Sequence, residues 1–363
     1  MAVELSTDQE RAMAAIEEFI RDPTPYRSYF VLHGLAGCGK TFLMALLAAR
    51  YRDASLAAFT GKAASVLRAR TSAGSRVSTL HSLLFDFRGL AEADDRNRRD
   101  PIFVAKGVEL PQRVILVDEC SSIGERMAID LLATGARVVA CGDPGQLPPV
   151  KDAQFFTDPD DTLEVIHRQA LDSAIIRQAH RVRNEGYYAA DGDDFRVIPF
   201  ADMFELLDHD VLLCWRNVTR KKLNDKKRAA LRIDGPLRAG EPVMCLRNNH
   251  RLGLYNGAIY ELARDRDPDD PGGVVYGDDV TVGRRPRIDV ELMTVEGEPE
   301  FVEKQYDDSW MPFALAYAST VHKFQGSESP KVLLFDECTQ NRIPFLYTGI
   351  TRASKKCTVV KWR

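Results

Sequence analysis

A chain of 363 residues is longer than one ordinary domain, and with 45% hydrophobic residues it has material for two or three cores. Its formal net charge of -4, from 49 basic against 53 acidic residues, excludes a polycation, while a local basic groove for nucleic acid stays open. Seven cysteines without a C-x-x-C pair give no disulfide framework and suit a reducing compartment, and no apolar run approaches a membrane span.

The opening MAVELSTDQERAM is charged and helical in pattern, unlike a signal peptide. YFVLH then reads as a strand, GLAGCGKT follows from Gly34, and TFLMALLAARY reads as a largely buried helix. SLAAFT is a short strand. The segment FDFRGLAEADDRNRRDPIFVAKGVELP after His81 is too polar for a core and long for a bare loop. RVILV is a continuous apolar strand that delivers Asp118 and Glu119, and ARVVACGD is another that ends at Asp143. Short apolar strands alternating with helices predict a parallel sheet covered on both faces, with its crevice beyond the strand C-termini. Gly34, Thr60, Asp118 and Asp143 all fall at such ends.

A second α/β pattern begins near residue 166. It runs through the helical LDSAIIRQAHRVRNEG, the strand VLLCW and a strongly basic helix from Arg216 to Arg232. It resumes with PKVLLFDE, FLYTGITRASKK and the final strand KCTVVKW. Between these parts, from Gly240 to about Met311, short alternating segments separated by Gly, Asp and Pro clusters predict antiparallel strands in a small barrel-like insert. RDRDPDDPGG within it reads as a solvated loop.

The spacing G-x-x-x-x-G-K-T between a strand and a helix is a phosphate-binding loop. Its glycines let backbone N–H groups turn toward phosphate oxygens, Lys40 reaches the β and γ phosphates, and the Thr41 hydroxyl can ligate Mg2+. A glycine-rich turn opening an ordinary helix would not need every fixed position filled. Asp118 can hold Mg2+, and Glu119 can accept a proton from an attacking water. An exposed acidic pair at a strand end would be the plainer reading without the loop. Gln146, in the stiff turn GDPGQLPPV, can donate to phosphate and accept from water. Arg168 and Arg352 come from the second pattern, and their planar donors can stabilise a transferring phosphoryl group; surface ion pairs are the commoner use of arginine. Thr60, Thr79 and Thr320 carry short hydroxyls that can bond backbone phosphates without regard to sequence. The basic helix is equally a solvated face. Phe85, Phe87 and Phe103 either form the minimal core of their polar segment or stack on bases. His33, His167 and His180 lack metal-ligand spacing.

In order along the chain, LSTDQERA, GLAGCGKT, FTGKAASVL, VSTLHSLL, VDECS, GDPGQLPPV, HRQALDSAIIRQA, NVTRKKLN, ASTVHKFQGSE and LYTGITRAS resemble the motifs of superfamily 1B helicases of the RecD-like and Dda-like type. The resemblance covers nearly the whole chain. It implies an α/β fold of two RecA-like P-loop motor domains, with a pin-like insert in the first and an SH3-like β insert in the second. The first motor domain would take 1–84 and 111–165, the pin 85–110, the second motor domain 166–239 and 312–363, and the SH3-like insert 240–311. The implied activity is ATP-dependent 5′-to-3′ translocation on single-stranded DNA with unwinding of duplex. Close alternatives are protein displacement or fork remodelling with little unwinding, and a nucleotide-switched DNA-binding module.

The resemblance also implies ATP and Mg2+ as cofactors. Gln9 would read the adenine edge, and Gly34, Gly37, Cys38, Gly39, Lys40, Thr41, Gln146, Arg168, Gly326, Glu328 and Arg352 would line the nucleotide. Thr60, Lys62, Thr79, His81, Thr320, His322 and Lys323 would line the strand, with Arg220 and Asn224 near it and Phe87 or Phe103 as a stacking residue. Phe59, Phe324 and Gly349 depart from the usual family residues without removing a catalytic group. Nuclease activity is not expected. The expected partners are single-stranded DNA, duplex junctions and replication or repair proteins, for a monomer in the cytoplasm.

Overall fold

The computed structural model describes residues 5–71, 74–90, 101–106, 113–150, 152–166, 172–249, 252–267, 269–270, 272–276, 287–297 and 310–361; for 62, 65, 69, 87–90 and 101–103 it describes the backbone alone. Two compact units emerge. One gathers Met1–Asp86, Val104–Ala189 and Gln340–Thr351, the other Phe87–Phe103, Ala190–Thr339 and Arg352–Arg363.

The first unit is built on six parallel strands in the order Arg76–Thr79, Ser55–Ala58, Val114–Asp118, Arg137–Gly142, Tyr29–Gly34 and Asp161–Leu163. Strand residues alternate between two cores, which is why the strands read as unbroken apolar runs. Phe30, Leu32, Leu56, Leu116 and Val139 pack with Ile16, Leu43, Leu47 and Leu67 of three helices, Thr7–Arg21, Lys40–Arg50 and Gly61–Arg70. Val31, Ala57, Ile115, Val117 and Val138 turn the other way, onto Leu80, Leu84, Leu131 and Phe156. The helices Ala174–Glu185 and Arg342–Ile350 also belong to this unit and pack on each other.

The second unit has five parallel strands in the order Ala318–Thr320, Val211–Cys214, Ser329–Asp336, Ala353–Lys361 and Phe195–Ile198. A separate six-stranded sheet runs Arg287–Val290, Gly273–Tyr276, Ile259–Leu262, Pro242–Cys245, Met311–Leu315 and Met293–Val295 around Val243, Tyr260, Val275, Met293 and Phe313. This corrects the all-antiparallel expectation. Met293–Val295 pairs parallel with Met311–Leu315, while the other described pairs are antiparallel. The polar segment after His81 forms a two-stranded sheet of Phe85–Leu90 and Pro101–Ala105, with Lys106 N–H donating to Leu84 O at 2.9 Å at its base. Among the described residues, no helix is long and apolar enough to cross a membrane.

Candidate active site

In the first unit the phosphate loop leaves the strand Tyr29–Gly34 and enters the helix Lys40–Arg50. Gly37 at φ 88° and Gly39 at φ 79° adopt left-handed backbone that a side chain would strain. A Cβ on Gly34 would stand 2.5 Å from Cys38 Sγ and 3.2 Å from Lys40 Cγ, so the loop closes tightly on its own base. Lys40 Nζ donates to Gly34 O and Leu35 O, each at 2.9 Å. Burial pulls its pKa down, but Asp143, Cys38, Cys141 and Glu119 together outweigh this and leave the pKa raised, so the ammonium stays charged.

Thr41 Oγ1 donates to Asp118 Oδ2 at 3.0 Å, across 77 positions of sequence. A hydroxyl and a carboxylate at a helix N-terminus make a hard-oxygen pair that fits Mg2+. Burial pushes the Asp118 carboxyl up, against the Glu119 N–H, Lys40 and Thr41, which pull it down. Glu119 sits at φ 56°, ψ 42°, a left-handed conformation that costs a non-glycine residue energy and that concentrates at functional sites.

Gln146 is 5% exposed, and its Oε1 has no hydrogen-bond partner. An orphaned amide oxygen suits accepting a hydrogen bond from a water. Gln9 is fully buried and already engaged, with Oε1 accepting from Ser6 N–H at 3.1 Å and Nε2 donating to Cys38 O at 3.1 Å. It clamps the first helix to the loop.

Tyr347, Arg183 and Thr348, which no motif reading singled out, and His180 shape the site as well. Tyr347 Oη donates to Asp143 Oδ2 and accepts from Ala36 N–H at 3.0 Å, and Asp143 Oδ1 accepts from Gly145 N–H at 2.9 Å. His180 Nε2 lies 3.3 Å from Ala36 O, and Arg183 lies close enough to Gly145 that an added Cβ would meet its Nε at 2.9 Å. Leu147 N–H donates to Thr348 Oγ1 at 2.9 Å. The Arg342–Ile350 helix therefore fastens the turn that carries Gln146. The YTGIT stretch signalled a motif but not this contact, because the contact joins positions 201 residues apart in sequence.

Thr60 and Thr79 each accept a backbone N–H three residues on, at 3.1 Å, so both cap helices, and the Thr79 hydroxyl also shares a 2.9 Å hydrogen bond with Ser82 Oγ. His81 packs against Phe85, ring centroids 4.8 Å apart and planes tilted by 44°. Lys62, Phe87 and Phe103 have side chains outside the described residues, and Arg168 and His167 lie outside them altogether. His33 Nε2 meets Phe156 O at 3.1 Å, and no metal-ligating cluster occurs among the described residues.

Within the second unit, Arg352 is buried and donates to Ser327 O at 3.4 Å, close to Gly326 at φ 71° and the exposed Glu328. Thr320 Oγ1 accepts from Lys323 N–H at 3.4 Å. Half-buried His322 meets Trp215 at 4.8 Å between ring centroids, an aromatic pair that the sequence reading missed. Burial lowers the His322 pKa and keeps its ring neutral. Arg220 and Asn224, expected near the strand, are buried and engaged inside this unit. Arg220 pairs with Glu296, while Asn224 donates to Leu315 O at 3.0 Å and accepts from Ala318 N–H at 2.9 Å. They hold the basic helix against the strand that leads to Thr320.

A family profile described as an AAA domain matches residues 4–193, and one described as a UvrD-like helicase C-terminal domain matches 315–360. The ATP-dependent RecD2 DNA helicase of Deinococcus radiodurans is 29% identical over 324 residues, which is 83% of this chain and 42% of that protein. The chain thus spans less than half the length of this relative. Bacteroides Pif1 bound to ssDNA superposes with a TM-score of 0.64 at 20% identity, over 98% of this chain and 92% of that one. Pif1 helicase from Candida albicans gives 0.60 at 18% identity, over 99% and 95%. At such identities the likeness is one of fold, two RecA-like domains in sequence. With the AAA-domain profile matching more than half of its length, the chain belongs to that family of P-loop proteins, and in sequence it is similar to the RecD2 DNA helicase.

Proposed function

We propose that this chain is an ATP-driven motor that moves 5′-to-3′ along single-stranded DNA and unwinds duplex DNA. The observation that carries the reading is the Thr41–Asp118 hydrogen bond of 3.0 Å at the head of a glycine loop, with the orphaned Gln146 amide in the same unit. Support for the DNA part comes from the relatives: one is named an ATP-dependent DNA helicase, and another is bound to ssDNA. Polarity rests on the resemblance to the RecD-like and Dda-like type.

In this proposal the loop amides and Lys40 hold the phosphates, and Thr41 and Asp118 hold Mg2+. When bound, Mg2+ neutralises phosphate charge. Glu119 accepts the proton of the attacking water, Gln146 orients that water, and Arg168 and Arg352 stabilise charge on the transferring phosphoryl group. The threonines, His81, His322 and Lys323 contact the strand backbone, and Trp215 adds an aromatic surface for a base.

Steady-state ATPase assays with and without an oligonucleotide test the coupling. Turnover is expected to rise on adding single-stranded DNA; equal rates would reduce the protein to a nucleotide switch. Arg352→Ala should lower turnover by roughly 10³-fold or more while ATP still binds, as for other arginines aimed at a γ phosphate. Arg352→Lys should not rescue it, because an ammonium lacks the planar fork. Lost ATP affinity with full turnover at saturation would contradict the role.

A further inference from the structure

Seven cations lie on or beside the helix Asn217–Ala230, and they divide into two groups. Arg220 and Lys221 pair with Glu296, Arg228 pairs with Glu241, and the Lys227 ammonium donates to Leu206 O and His209 O. Arg216, Lys222 and Lys226 have no carboxylate partner among the described residues. These three line one cleft of about 320 Å³ together with Val218, Thr219, Leu223 and Phe335.

The cleft has an apolar floor and no acidic wall. Leu223 and Phe335 are buried at its base, while Val218 stands 64% exposed at its lip. Glu337, just past the end of the adjoining strand, accepts from Trp215 N–H at 2.8 Å, Arg216 N–H at 2.9 Å and Thr219 Oγ1 at 2.6 Å. Its hydrogen-bonding capacity is spent on those groups, and no carboxylate lines the cleft itself. An exposed aliphatic lip ringed by unpaired positive charge asks for an anionic partner that also brings an apolar side chain.

We propose that this cleft is a docking site for an acidic peptide segment of another protein, with one apolar side chain in the cleft and flanking carboxylates on Arg216, Lys222 and Lys226. A nucleic-acid strand fits the same surface less well. Strand-binding platforms present open aromatic faces for bases, whereas Val218 and Leu223 are aliphatic and Phe335 is buried. The one hydroxyl in the lining, that of Thr219, already donates to Glu337. Arg220 and Asn224 point elsewhere, into the buried side of the same helix. Charge complementarity around an apolar anchor gives orientation and a salt-sensitive on-rate.

The test is fluorescence anisotropy on the full chain with a fluorescein-labelled peptide of aspartates and glutamates around one central phenylalanine. The expected result is saturable binding that weakens with salt. It should weaken at least about tenfold when that phenylalanine becomes alanine, or in the protein variants Lys222→Glu with Lys226→Glu, or Val218→Asp. All three positions are exposed, so the variants should fold, and unchanged circular dichroism checks this. An unlabelled oligonucleotide should not displace the peptide. Absent binding, or binding indifferent to these variants, overturns the proposal. Displacement by the oligonucleotide, with its own affinity falling in the same variants, also overturns it and makes the cleft a nucleic-acid surface. DNA-stimulated ATPase measured on the same samples keeps this outcome separate from that of the motor reading.

Discussion

Tyr347 and Glu119 show how single side chains tie chemistry to fold. Tyr347 is completely buried, and its hydroxyl satisfies both Asp143 and the Ala36 N–H of the phosphate loop. Tyr347→Phe keeps the ring but leaves a carboxylate oxygen and an N–H short of a partner, at a cost of about 1–3 kcal/mol. Chemical denaturation should register that loss, and the KM for ATP should rise because the loop loses a brace. An unchanged midpoint with unchanged KM would show the contact to be incidental. Glu119 presents the opposite balance, since its left-handed backbone favours chemistry over comfort. Glu119→Gln should retain nucleotide affinity and lower turnover about 10²–10⁴-fold, the usual contribution of a positioned general base. Turnover close to wild type would remove Glu119 from the proton path.

At the scale of elements, the parallel sheets were legible because their strands are buried on both faces and write themselves as apolar runs such as VILV and LAA. Asp118 and Glu119 could be placed at a strand end for the same reason. Other strands were not anticipated. RVST, DTL and FRVI are too short and too mixed in polarity to stand out, and they form only because a neighbour offers its free edge. The parallel pairing of Met293–Val295 was likewise set by tertiary contact. Buried polar groups were the least legible. His209 looks like any loop histidine in sequence, yet it is buried in the second unit, with Nδ1–H donating to Glu205 O at 2.8 Å and Nε2 accepting from the Thr358 hydroxyl at 2.8 Å. Burial lowers its pKa, against the carbonyl and carboxylate of Glu205, which raise it. The unfolded chain, with an imidazole pKa of about 6.5, takes up the proton first. The stability from neutral His209 is therefore complete above that value and is lost as pH falls below it. His33, His180 and His322 share the direction, so the diagnostic is a difference. Denaturation midpoints from pH 7.5 down to 5.5 should fall less steeply in His209→Gln than in the wild type. Parallel slopes would mean that His209 titrates alike in both states.

For the molecule as a whole, two P-loop-type sheets in one chain are what a motor needs, and a nucleotide switch could manage with one. The two-stranded sheet after His81 falls, in sequence, between two candidate site segments of the first unit, where a strand-separating insert would be expected. The central claim is that ATP turnover drives directional movement on DNA. Strand displacement tests it most directly, using duplexes that carry either a 5′ or a 3′ single-stranded tail, with Lys40→Ala as the blank. ATP-dependent separation of the 5′-tailed duplex is expected, with little or none of the 3′-tailed one and no activity in the Lys40 variant. Separation from the 3′ tail would contradict the assigned polarity, and failure on both tails despite DNA-stimulated ATP hydrolysis would contradict unwinding itself.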